Sequence, residues 1–132
     1  AACAHTELEG EQGDKRDYVA QLRAQAVASW ESFAREYREQ ATHTSDASFA
    51  ASGVAERLLS RMLRDALGYA GCELIRRTVG LAHILELESI SDEATRARAE
   101  RRALELGREL IMTHESLSDI DAIDALVARH LA

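Results

Sequence analysis

Proline is absent from this 132-residue chain, so the residue that most strongly breaks helices is missing throughout. Lysine is nearly absent as well: Lys15 stands alone among 16 basic residues, and arginine supplies the rest of the positive charge. Against 23 acidic residues this leaves a formal net charge of −7, which is not the basic field of a nucleic-acid binder. The arginine richness therefore reads as a compositional bias, not as a phosphate-binding surface. Only two cysteines occur, Cys3 and Cys72, far apart and without a CxxC partner. That spacing argues against a disulfide framework or a zinc site and for free thiols in a reducing compartment. No apolar run approaches the ~20 residues of a bilayer span, and no charged-then-apolar leader opens the sequence.

What is present is enough for one packed domain over residues 1–132. Hydrophobic residues make up 46 % and charged residues 30 %, a composition that can fill a core and coat it. Abundant Ala, Leu, Glu and Arg favour helices. The opening "AACAHTELEG" has no methionine and is already helix-like, so the chain is expected to begin inside a longer protein. Residues 1–9 read as the tail of a helix that stops near Gly10 and Gly13.

A long helix is expected from Asp14, which suits an N-cap. Tyr18, Leu22, Ala26, Trp30, Phe33 and Tyr37 recur at three- and four-residue steps and predict its buried face, with Arg23 on the solvated side. Most of the aromatic residues lie here, so this helix is expected to anchor the core. "ATHTSDASFAASG", residues 41–53, reads as a polar loop without a catalytic partner for His43. The pattern resumes at Val54 and meets Gly68 and Gly71, where a kink or a close approach of another backbone is expected. From Gly71 to about Leu87 the sequence is apolar over most of a helical circumference. A further helix follows, with Ser91 as cap, Asp92 and Glu93 at the positive end of its dipole, and Ala97, Leu104, Leu110 and Ile111 as apolar face. In the last segment Ser118 and Asp121 resemble a capping box ahead of Ile120, Ile123, Val127 and Leu131. No strand-like alternation competes, and the fold class is all-α, with about four to five helices.

The stretch "GCELIRRTVGLAH" does not fit a core wall throughout, because two arginines, Arg76 and Arg77, stand side by side in it. At 100° per residue Glu73, Arg76, Arg77 and Gly80 share a third of the circumference, with His83 close by, so an apolar helix carries one polar stripe. Two readings stay open from the residues alone. Glu73 and Arg77 can form an ordinary i,i+4 pair at a helix edge. Alternatively, the two guanidiniums are donors for a hydroxyl-, carboxylate- or phosphate-bearing ligand, with Gly80 leaving room beneath them.

"GYAGCELIRRTVGLAH" followed by "LESISDEATRARAERRALELGRELI" resembles the C-terminal helical region of the S-methyl-5-thioribose kinases, and "YVAQLRAQAVASWESFAREYREQ" resembles the Trp-bearing helix before it. The family is similar in fold to aminoglycoside phosphotransferases and protein kinases. The resemblance implies ATP- and Mg²⁺-dependent phosphorylation of methylthioribose in methionine salvage, in a cytoplasmic and homodimeric enzyme. It gives Arg76 and Arg77 the role of substrate-binding residues. It also exposes a departure, because neither a glycine-rich loop nor a His-Gly-Asp motif occurs here, and Lys15 is in no strand context for pairing a nucleotide. The chain is thus expected to be the substrate-side part of the kinase, with no catalytic, cofactor-binding or metal residues of its own and no activity in isolation. The rival expectation is a non-enzymatic helical interaction module derived from the same lobe. Partners of either form exclude nucleic acid and membrane.

Overall fold

The computed structural model describes residues 14–46, 51, 53–81 and 85–131. Among these, all regular structure is helical: α1 (Asp14–His43), α2 (Val54–Val79), α3 (Leu85–Glu88), α4 (Glu93–Thr113) and α5 (Ile120–Leu131). The all-α expectation holds, with five helices and no strand among the described residues. The expected helix tail over residues 1–9, the capping side chain of Asp14 and the position of His83 lie outside them.

The molecule is built on the pairing of α2 with α4. Gly68 faces the His114 ring, while Gly71 faces Gly107 and Gly107 in turn faces Leu74 and Ile75. Partners fall in number as α2 rises, so the two helices run antiparallel. At their crossing a Cβ on Gly71 would lie 2.6 Å from the Gly107 carbonyl oxygen, and one on Gly107 would lie 3.0 Å from that of Gly71. The glycines let two backbones touch. They do not interrupt α2, which is continuous from Val54 to Val79.

Leu63 and Leu67 from α2, Leu110 from α4, and Ile123 and Leu126 from α5 form the main core, with Trp30 of α1 and Leu106 packed against it. A second cluster joins Leu87, the fully buried Ile90 and Ala99, and so ties α3 to α4. A third joins Val19 to Leu131 and fastens α1 to the end of α5. The core therefore centres on α2, α4 and α5, and the aromatic-rich α1 flanks it.

The buried seam of α1 keeps Leu22, Trp30 and Tyr37 of the expected face and replaces its other members with residues next to them. Val19 and Ala34 are buried, and Arg23, Val27, Trp30, Tyr37 and Ala41 are half-buried along the same line. Tyr18 and Phe33 are about half exposed and Ala26 is exposed. Phe33 instead lies along its own helix between Trp30 and Tyr37, with tilted rings whose centroids are 5.6 and 6.0 Å away. Arg23, expected in solvent, is drawn to α5: its Nε donates to Asp124 Oδ1 at 2.8 Å and its Nη2 to Oδ2 at 2.6 Å.

On α4 the buried positions are Ala99, Ala103, Gly107 and Leu110, while Ala97 is exposed. Both later caps also sit one residue beyond the serines expected to make them. Asp92 accepts the Thr95 backbone N–H at 2.7 Å, and Asp119 accepts that of Ala122 at 2.8 Å. Ser118 supports the second cap by donating to Asp119 Oδ2 at 2.8 Å.

Candidate functional site

The apolar stretch from Gly71 to Leu87 is not one helix. α2 ends at Val79, and Gly80 closes it in extended backbone, donating its N–H to the Arg76 carbonyl at 2.8 Å. A Cβ at Gly80 would run into that same carbonyl, so this close approach requires glycine. The arginine pair is thereby placed in the last turn of α2, where basic side chains complement the negative end of the helix dipole. Gly80 is the stop of this helix rather than a floor beneath the arginines.

Both arginines are exposed, so no buried charge has to be offset. The inward side of the same turns is carried by Gly71, Thr78 and the half-buried Leu74 and Ile75. Thr78 satisfies its hydroxyl within the helix by donating to the Leu74 carbonyl at 2.7 Å. Thus α2 turns its small and aliphatic residues to α4 and holds the guanidiniums outward.

The ion pair is made by Arg76, not by Arg77 as the i,i+4 spacing suggests. Arg76 Nε donates to Glu73 Oε1 at 2.9 Å and Nη2 to Oε2 at 2.8 Å, a forked contact three residues apart. This hydrogen bonding holds the Glu73 carboxyl below the usual carboxylate range. A slight desolvation opposes the shift, and the charges of Arg76 and Arg77 add to it. The Arg76 guanidinium is raised in return, first by the Glu73 hydrogen bond and then by its charge. Arg77 makes no hydrogen bond among the described residues and reaches Glu73 only through its charge.

The surroundings add residues that the sequence pattern does not single out. Tyr69 is 71 % exposed, lies two turns before Arg76 on the same face and contributes to its electrostatics. Val79, one turn after Arg76, is exposed, as are Leu81 and Leu85 beyond the helix end. The i,i+7 step from Tyr69 to Arg76 is a signal for that face, but the expected burial of this helix on several sides conceals it. Cys72 is exposed on this side of the helix and is a free thiol. The site offers one oriented guanidinium, one uncommitted guanidinium and exposed apolar side chains, a combination suited to a hydroxyl-, carboxylate- or phosphate-bearing ligand with an apolar substituent.

No protein-family model matches the sequence. Individual relatives do. The chain is 45 % identical over 101 residues to the methylthioribose kinase of Yersinia enterocolitica, which covers 76 % of this chain and 25 % of that enzyme. It is 44 % identical over 88 residues to the methylthioribose kinase of a Geobacillus species, covering 67 % of this chain and 22 % of the relative. It is 39 % identical over 102 residues to that of Erwinia tasmaniensis, covering 76 % and 26 %. The chain spans about a quarter of the length of the relatives it matches. Over that matched stretch the chain belongs to the methylthioribose kinase family.

Proposed function

We propose that this chain is the substrate-side helical part of a methylthioribose kinase and that Arg76 and Arg77 are the donors that hold the thioribose hydroxyls. The observation that carries the reading is the placement of the pair. Two adjacent guanidiniums project from the final turn of α2, within the very stretch that resembles the family. Glu73 orients Arg76 and leaves Arg77 with its whole fork of donors uncommitted.

Electrostatics narrow the ligand. Glu73 and the negative end of the helix dipole together offset much of one guanidinium charge. The charge that remains on Arg77 suits sugar hydroxyls and the phosphate that the sugar acquires. The exposed Val79 beside Arg76 gives the methylthio group an apolar neighbour. Phosphoryl transfer also needs metal-binding carboxylates and a catalytic base. Among the described residues no group of three or more His, Cys, Asp or Glu could hold a metal ion. In this reading ATP and Mg²⁺ are bound by the rest of the family enzyme. Among the described residues no helix is long and apolar enough to cross a membrane.

Two measurements test the proposal. The pure chain, incubated with ATP, Mg²⁺ and methylthioribose, is expected to yield no sugar phosphate above a protein-free control. In a chimaera joining this chain to the remainder of a relative, Arg77→Ala is expected to lower kcat/KM for methylthioribose roughly ten- to hundredfold and to leave the KM for ATP unchanged. Because Arg77 makes no hydrogen bond among the described residues, its loss should cost no more than its helix-dipole contribution, about 0.3–1 kcal/mol. Unchanged sugar kinetics in that variant would reduce the pair to a helix-end feature and favour a non-enzymatic module.

A further inference from the structure

A cleft of about 490 Å³ opens at the other end of α2, between α1, the first turns of α2 and the turn before α5. Its volume falls in the ~300–1,000 Å³ range of small-molecule sites. Glu56 on its wall and Arg76 are twenty residues apart on one helix, roughly 30 Å, so the cleft is separate from the arginine pair. Trp30, Ala34, Leu59, Leu63 and Ile120 give it an apolar floor and side.

The charged groups on its rim divide into two kinds. Arg38 is forked onto Glu56, with Nε to Oε1 at 2.6 Å and Nη2 to Oε2 at 3.1 Å. Asp119 is committed to the Ala122 N–H and the Ser118 hydroxyl. Glu31 and Arg35 are different. Both line the cleft, and neither has a hydrogen bond or ion pair among the described residues. They lie one helical turn apart, about 6 Å at Cβ, with the Trp30 indole and Ala34 next to them in sequence. Once the internal pairs are set aside, the cleft presents one carboxylate, one guanidinium and an apolar pocket between helices.

We propose that this cleft binds a small zwitterion with an apolar side chain, the chemical class of a free α-amino acid. Its ammonium pairs with Glu31, its carboxylate is forked by Arg35, and its side chain lies on Trp30 and the aliphatic floor. An α-ammonium and its carboxylate are close enough to be spanned by two side chains one turn apart. A monovalent cation or anion would satisfy one rim charge and leave the other unpaired.

Trp30 is the only tryptophan of the chain, so all indole emission comes from a residue that lines this cleft. The test titrates the whole chain with L-leucine, with 3-methylbutylamine, which lacks the carboxylate, and with 4-methylpentanoate, which lacks the ammonium. Equilibrium dialysis with labelled leucine checks that the optical signal is binding. Leucine is expected to give a saturable change, with each analogue bound about tenfold more weakly or worse. Glu31→Gln should weaken leucine about tenfold and spare 4-methylpentanoate, whereas Arg35→Gln should weaken leucine and spare 3-methylbutylamine. Both side chains are exposed, so both variants should melt with the parent. No saturable leucine binding, an analogue that binds as tightly as leucine, or leucine affinity indifferent to both substitutions would each overturn the proposal.

Discussion

Backbone meets backbone at Gly71 and Gly107, and at this crossing a single methyl group decides stability. A Cβ on Gly71 would stand 2.6 Å from the Gly107 carbonyl oxygen and 2.8 Å from Ile111 Cγ1, so α2 and α4 would have to separate. Gly68, one turn earlier, has only the edge of the His114 ring at 3.4 Å, an ordinary contact. The two glycines look alike in the sequence, where each could equally mark a kink or a close approach. The sequence does not disclose which of them has a backbone opposite it, because the partner lies in another helix. Gly71→Ala is therefore expected to destabilise the chain by ~1–3 kcal/mol through overpacking. Gly68→Ala should stabilise it by up to ~1 kcal/mol, the helix-propensity difference between the two residues. Urea unfolding of both variants checks this, and shifts of the same sign would contradict the close crossing.

Among the elements, α1 shows why periodicity locates a helix and finds only part of its buried face, here Leu22, Trp30 and Tyr37. Tyr18 and Phe33 dominate any apolar count, yet the seam runs through Val19, Arg23, Trp30 and Ala34. A small residue such as Ala34 lets the neighbouring helices come close, and its importance does not register in a hydrophobicity pattern. Arg23 escapes the pattern for a related reason: its burial depends on Asp124, 101 residues away, and no local window contains that pairing. Both side chains of this bridge are about one-third exposed or less, and it clamps α1 to α5 with two parallel hydrogen bonds. Arg23→Ala should cost ~1–3 kcal/mol in urea unfolding, because it leaves a half-buried carboxylate unpaired. A neutral result would mean that the clamp is loose in solution. The caps carry a pH signature. Hydrogen bonding to Thr95 holds the Asp92 carboxyl below the usual range, and the Ala122 N–H, then the Ser118 hydroxyl, do the same for Asp119. A carboxyl depressed in the folded state contributes stability that is complete above its unfolded value, about pH 4, and is lost as pH falls through the folded value. Thermal unfolding from pH 7 downward should thus show a stability loss beginning near pH ~4. Asp92→Asn with Asp119→Asn should reduce that loss, since Asn caps without titrating, and leave the part due to Glu56, Glu73 and Glu109, which hydrogen bonds also hold low.

For the whole molecule, helical class and kinship are legible because both are written in long, contiguous signals, a proline-free composition and the "GCELIRRTVGLAH" stretch. The surroundings of the arginine pair are legible only in part. Their shared face follows from helical geometry, but the apolar content of the stretch around them points to burial on several sides. The end of α2 at Gly80 changes that picture, because it leaves Val79 in the last turn, and Leu81 and Leu85 beyond it, exposed, as Tyr69 is earlier on the helix. Large apolar side chains exposed to this degree favour interaction over solvation where they form a patch. Exposed side chains also contribute little to folding, so surface and stability should be separable here. The chain is expected to give a purely helical circular dichroism spectrum and to bind a hydrophobic dye under native conditions. Leu81→Ser combined with Leu85→Ser should cut dye binding while moving the free energy of unfolding by no more than about 0.5 kcal/mol per site. If the double variant instead unfolds easily, these leucines are packed against protein, and the apolar surface that takes up the dye lies elsewhere. If it binds dye as the parent does, the leucines are solvated and the dye reports on the aromatic side of α1, where Tyr18 and Phe33 are also exposed.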